Sequence, residues 1–324
     1  MLNWNAAGHD NVKKFLEKSL EKGKIANAYL FHGPERVGKT FIANQFVKSL
    51  FCNNVKKPCG ECVICGQIEK WIYPDVFRVC RLEGKNDIVI EQIRDLKERI
   101  YSSSFFSGYK AGIIEEAEFL NDSAWNSLLK VLEEPPNKMV IIIISNNIDM
   151  IPETIVSRCQ KVRFFYAQES AMNKYLSDCG IPRAVGREAA RLAMGRMGIA
   201  MEIASDPLWR NRYDHKIADC FALFSKTKNL KEKNDLILKI AKEKKDIYDF
   251  FNFLVLLLRD LVLAELYPDL IVNFIYKEKM DSMRNEFDLK KLCLLLEKSL
   301  KLKSYLNNNV SGKLLLENFI LEIE

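Results

Sequence analysis

Apolar positions recur along the first half of the chain in two alternating rhythms. Val12, Phe15, Leu16 and Leu20 fall at helical spacing behind a candidate cap at Asp10 or Asn11, which predicts a helix over 9–22. AYLFHG (28–33) is a short apolar run and predicts a strand. A glycine-bounded loop and a helix from Thr40 to Phe51 follow it. DVFRVC (75–80) and AGIIEE (111–116) read as further strands, with an amphipathic helix over 90–100 between them. A helix from Asn121 to Glu134 stops at Pro135 and Pro136, because proline cannot continue the hydrogen-bond ladder. MVIIIIS (139–145) is apolar without alternation, the pattern of a central strand covered on both faces. KVRFF (161–165) closes the series. Five strands alternating with helices predict a mostly parallel sheet between helical layers. Past residue 166 the strand rhythm stops. Residues 168–206 read as short helices broken by Gly and Pro, and 210–324 as long helices such as Leu289 to Leu306.

Composition narrows this picture. A chain of 324 residues suits two or three domains. Its apolar and charged fractions are those of an ordinary globular protein. No segment reads as a targeting sequence or a membrane span, so no membrane role and a cytoplasmic location are expected. A net charge of +6 fits a phosphate-bearing partner without requiring one. Of nine cysteines, four crowd into Cys52, Cys59, Cys62 and Cys65. The odd total argues against a disulfide framework and sets the cluster apart for metal.

Gly33-Pro34-Glu35-Arg36-Val37-Gly38-Lys39-Thr40 is a complete G-x-x-x-x-G-K-[ST] between a predicted strand and a predicted helix, the context a phosphate loop requires. Its glycines let backbone N–H groups close around phosphate, and the following helix aims its positive end at the same place. Lys39 would reach the β- and γ-phosphates of ATP, and Thr40 would ligate Mg²⁺. Such a site needs an acid at the end of a second strand. Glu115 is the candidate at the metal position, one methylene longer than the usual Asp, and Glu116 the candidate for activating water. The four cysteines have the spacing C-x6-C-x2-C-x2-C. Four thiolates suit tetrahedral Zn²⁺ and leave no open position for water, so a structural site is expected. An iron–sulfur cluster or plain reduced thiols are the alternatives. Ser157-Arg158-Cys159, just before the last strand, is a weak motif by itself.

In this order the pieces resemble the bacterial clamp-loader AAA+ family, over at least residues 9–206. The resemblance rests on AYLFHGPERVGKT (28–40), the four-cysteine insert, YPDVFRV (73–79), IEQIRDL (90–96), NDSAWNSLLKVLEEPP (121–136), IISNN (143–147) and IPETIVSRCQKVRF (151–164). It implies an α/β AAA+ P-loop domain over 1–166 with a zinc module at 52–65. A helical lid over 167–207 and an all-α collar over 208–324 would follow. It further implies a hetero-pentameric ring with gamma/tau and delta subunits. That ring uses ATP to open the sliding clamp and load it on primed DNA, which it holds through phosphates. Lys97 and Arg99 are candidate contacts there. Arg158 would be an arginine finger acting on a neighbouring subunit's site, and Asn146 the polar sensor near the γ-phosphate. Active members carry an arginine in the lid where this sequence aligns Gly198, and Arg196 lies two positions away. The resemblance is therefore closest to the delta-prime type, commonly a stator that binds ATP without needing to hydrolyse it. A gamma/tau-type motor is the alternative, and a P-loop kinase the alternative of another class.

Overall fold

The computed structural model describes residues 4, 6–82, 85, 87–105, 108–225, 229–241, 244–306 and 310–323. The chain divides into two compact units, Met1–Ala204 and Ser205–Glu324.

In the first unit the elements run α1 (Asp10–Glu21), β1 (Ala28–His32), α2 (Lys39–Phe51), α3 (Val63–Glu69), β2 (Val76–Val79), α4 (Ile90–Tyr101), β3 (Lys110–Ile114), α5 (Asp122–Glu133), β4 (Met139–Ser145), α6 (Glu153–Val156) and β5 (Gln160–Arg163). Helices α7 (Glu169–Asp178), α8 (Arg183–Ala193) and α9 (Met197–Ser205) follow. The strands form one parallel sheet in the order β2-β3-β4-β1-β5. Parallel pairing sends every strand's C-terminal end to the same edge. The loops after β1, β3 and β4 therefore meet there, where open α/β sheets bind their ligands.

Strand periodicity sorts the core into two layers. Tyr29, Phe31, Ile113, Val140 and Ile142 pack on one face with Ile42, Phe46 and Phe164. Leu30, Ile114, Ile141 and Ile143 pack on the other with Ile93, Leu96, Trp125 and Leu128. Every residue of β4 is buried, which is why its sequence shows no alternation. The strand expected over 111–116 ends earlier. Ile114 is its last residue, because Glu116 takes a left-handed conformation (φ 50°) that an extended ladder cannot accommodate.

The second unit is helical: α10 (Trp209–Phe224), α11 (Leu230–Ile240), α12 (Lys244–Leu266), α13 (Lys277–Glu286), α14 (Leu289–Tyr305) and α15 (Gly312–Ile323). Phe251, Leu254, Leu258 and Leu261 of α12 pack with Leu295 of α14 and Phe319 of α15. The buried Asp260 carboxylate accepts from the backbone N–H groups of Val272 (3.0 Å) and Asn273 (2.7 Å) and from the Asn273 amide (2.9 Å), pinning the segment after α12. Among the described residues, no helix is long and apolar enough to cross a membrane.

Candidate nucleotide site and metal centre

The loop between β1 and α2 is shaped by its backbone. Gly33 has φ 141°, and a Cβ there would lie 2.3 Å from the Phe164 carbonyl oxygen, so only glycine fits. Arg36 (φ 61°) and Gly38 (φ 108°) are also left-handed. Such alternation turns successive N–H groups inward into an anion-binding concavity, and α2 adds its positive end. The chain thus has the cradle that phosphate requires, and Thr40 sits half-buried in the first turn of α2.

Lys39 lies at the base of this cradle, 5% exposed. Its ammonium donates to the carbonyls of Gly33 (2.8 Å) and Pro34 (2.6 Å) and to Asn146 Oδ1 (2.8 Å). Burial pushes its pKa down to about 8, opposed first by the charge of Glu118 and then by that of Glu35. The fold thus brings Asn146, at the end of β4, directly onto the loop lysine.

Glu115 and Glu116 stand just beyond β3, and both are held by arginines. Arg78 Nε and Nη2 donate to the two Glu115 oxygens at 2.7 and 3.0 Å. Arg81 donates to Glu116 at 3.2 Å and stacks 4.2 Å over the Phe119 ring. The acid turned toward the phosphate loop is Glu118. It accepts from the Asn146 side-chain amide at 2.8 Å and from its backbone N–H at 3.2 Å.

Beside the loop lies an apolar cavity of about 110 Å³, lined by Ala7, His9, Val37, Phe41, Met197 and Met201 among others. Its size and lining suit a flat ring. His9 holds Val37 O at 2.9 Å, and burial lowers its pKa. Helix α9 docks on the loop at the same place. Gly198 N–H donates to Arg36 O at 2.8 Å, and Glu202 pairs with the Arg36 guanidinium. A Cβ at Gly198 would stand 3.0 Å from Arg36 O. Arg196 precedes the helix and lies over the Tyr166 ring at 5.5 Å.

Arg158 is remote from all of this. It follows α6 and precedes β5, whose Gln160 pairs with Tyr29 and whose Arg163 pairs with His32. The phosphate loop follows His32, so Arg158 and the loop lie at opposite ends of paired strands. They are separated along the strand axis by at least roughly 10 Å, three residues at ~3.3 Å each. The Arg158 side chain is 37% exposed. It donates to Glu133 Oε1 (2.7 Å) and Thr154 O (2.9 Å). Lys97 lies over the Tyr101 ring and Arg99 over that of Phe77.

The four cysteines converge. Cys52 caps the C-terminus of α2, and Cys62 caps the N-terminus of α3. Their sulfurs all lie within 4.8 Å of one another, and Cys59 and Cys65 are 3.9 Å apart. Zinc–sulfur bonds of ~2.3 Å put tetrahedral sulfurs roughly 3.8 Å apart, so the set fits that ion. The Cys62 N–H donates to Cys59 Sγ at 3.3 Å and the Cys65 N–H to Cys62 Sγ at 3.4 Å, as thiolate ligands require. Hydrogen bonds from the backbone N–H groups of Cys62 and Glu61 lower the Cys59 pKa to about 6, whereas burial raises that of Cys65 to about 12.

The model of the DNA polymerase III delta subunit family matches residues 8–168. DNA polymerase III subunit gamma from Buchnera aphidicola is 34% identical over 171 residues, which cover 52% of this chain and 46% of that protein. Subunit tau from Bacillus subtilis is 35% identical over 162 residues, 49% of this chain and 28% of that protein. The chain belongs to the bacterial clamp-loader AAA+ family. The matches span less than half the length of either relative. Among solved structures, a gamma subunit-related protein from Thermotoga maritima shares the fold, with TM-score 0.50 at 18% identity over 96% of this chain and 97% of that one. The clamp-loader motifs in the sequence led to Lys39, Asn146, Arg158 and the cysteines. They did not lead to Glu118, to Arg78 and Arg81, or to the apolar cavity. A third acid two positions past Glu116, and two arginines three residues apart in and just after β2, were the available signals.

Proposed function

We propose that this chain is a clamp-loader subunit of DNA polymerase III of the delta-prime type. It binds ATP with Mg²⁺ at residues 33–40 and acts chiefly as a stator. Residues 167–207 serve as the lid and 208–324 as the collar that joins it to gamma/tau and delta subunits in a five-membered ring. The ring opens the sliding clamp and sets it on primed DNA. Arg158 completes the site of the adjoining subunit, and zinc at the four cysteines is structural. The observation that carries this reading is the position of Arg158, exposed and at the opposite end of β5 from its own phosphate loop. A cation there can serve a neighbour and cannot reach its own nucleotide. Gly198 supports the same reading, since the lid presents a backbone N–H where a motor would present a guanidinium.

The test is the clamp- and primed-DNA-stimulated ATPase of the reconstituted loader with wild-type chain or Arg158→Ala. Trans fingers contribute roughly 10³–10⁵ in rate. Loss of the finger is expected to silence the one site it serves and so to lower overall turnover by at least that site's share. Unchanged turnover in an assembled ring would sink the stator role. The gamma/tau type is the second reading, favoured by the intact loop and by relatives that are gamma and tau subunits. Under it, Lys39→Ala in this chain alone abolishes its share of hydrolysis.

A further inference from the structure

Three acids follow β3 in close succession, and the fold treats them differently. Glu115 is bound through both oxygens by Arg78, and Glu116 is bound by Arg81. The left-handed turn at Glu116 then swings the chain over the end of β4. Glu118 is left facing Asn146, with both carboxylate oxygens at 3.2 Å from its backbone N–H and one at 2.8 Å from its amide nitrogen.

That contact fixes which way the Asn146 amide points. Its NH₂ faces a carboxylate and its Oδ1 faces the Lys39 ammonium at 2.8 Å. The opposite orientation would set donor against donor at Lys39 and acceptor against acceptor at Glu118. A negative and a positive group are thus bridged through a single amide. A phosphate that takes Lys39 must displace one of its three acceptors, of which Asn146 Oδ1 is the one on a side chain. Its own charge then arrives within one amide's span of a full carboxylate.

We propose that Glu118 is a positioning residue that makes triphosphate binding at this site depend on a divalent cation. This rests on the nucleotide-site reading above. The loop's N–H groups hold the inner phosphates, so the outer phosphate lies nearer the end of β4 and meets Glu118 most directly. Like charges in a partly buried site repel far more strongly than in water. Mg²⁺ carried with the triphosphate would cancel that repulsion. A diphosphate presents less charge at the same place and is affected less. Gln at 118 keeps an acceptor for Asn146 and removes only the charge, while Asp keeps the charge.

The test uses the full chain and measures Kd for ATP and ADP, with Mg²⁺ and with EDTA, in wild type, Glu118→Gln and Glu118→Asp. In wild type, removing Mg²⁺ weakens ATP at least tenfold and ADP much less. In Glu118→Gln, the Mg²⁺ dependence for ATP shrinks about tenfold because cation-free ATP binds more tightly, and ADP stays within about twofold. Glu118→Asp retains the wild-type ratio. An unchanged ratio in Glu118→Gln overturns the inference alone. So does an equal loss of both nucleotides, which marks a purely structural residue. If wild type binds neither nucleotide, the nucleotide-site reading fails and takes this inference with it.

Discussion

Lys39 yields a quantitative prediction about pH. Its side chain is almost wholly buried, and its pKa is pushed down to about 8 from the ordinary value of 10.5. Phosphate binds the ammonium form, and the bound phosphate in turn holds the proton. Affinity should therefore follow the protonated fraction of the free protein. That fraction is about 0.76 at pH 7.5 and about 0.03 at pH 9.5 for a pKa near 8. ADP affinity in Mg²⁺ is thus expected to fall roughly 25-fold across those two units, by titration fluorimetry or calorimetry.

Lys39→Ala supplies the comparison, since its weaker binding has no lysine to titrate and should stay level over the same range. Stability moves the other way. Between about pH 8 and 10.5 the unfolded lysine holds its proton while the native one has lost it, so the Lys39 contribution to stability rises with pH as binding falls. Wild-type affinity that is level to pH 9.5 would refute the reasoning. It would mean that the acceptors Gly33 O, Pro34 O and Asn146 Oδ1 hold the ammonium more firmly than burial opposes it.

Two further outcomes are expected. The purified chain should carry one zinc ion, released on thiol modification and absent in Cys65→Ser; four freely titrating thiols and no metal would refute the four-sulfur site. Gly198→Arg should weaken nucleotide binding by roughly 5- to 150-fold, because overpacking costs about 1–3 kcal/mol and the new Cβ would press on Arg36 O at 3.0 Å. Tighter binding or newly gained hydrolysis in Gly198→Arg would show that α9 can lift to admit a guanidinium.

Local patterns carried much of the fold. The unbroken apolar run Met139–Ser145 reads as a strand covered on both faces, and every one of its residues is buried. The phosphate loop and the four-cysteine spacing are each contained in short segments, so their geometry could be foreseen. What could not be foreseen depends on register and on single dihedral angles. Glu115, Glu116 and Glu118 are equivalent as letters in a sequence. Only the pairing of β2 with β3 brings Arg78 beside Ile113 and so within reach of Glu115. Only the left-handed Glu116 turns Glu118 toward β4. The apolar cavity draws on residues 6–9, 37–42, 175 and 197–201, and no window of sequence contains them together.

The contact of α9 with the loop bears on why the site has the form it does. Arg36 occupies a left-handed conformation that non-glycine residues rarely adopt. It is held there by the Gly198 N–H on its carbonyl and by Glu202 on its guanidinium, both from α9. The same left-handed turn aims the loop's N–H groups inward. Loop shape and the docking of α9 are therefore one arrangement, and a bulky side chain at 198 would disturb both. An arginine reaching bound phosphates from that position would have to part α9 from the loop it supports. The nearby Arg196 is turned to Tyr166 instead. Arg158 meanwhile stands exposed at the far end of β5, held by a single carboxylate and a backbone carbonyl that a neighbouring phosphate could displace. This distribution of cations supports the proposed reading, in which the subunit retains nucleotide beneath α9 and contributes its arginine to the site next door.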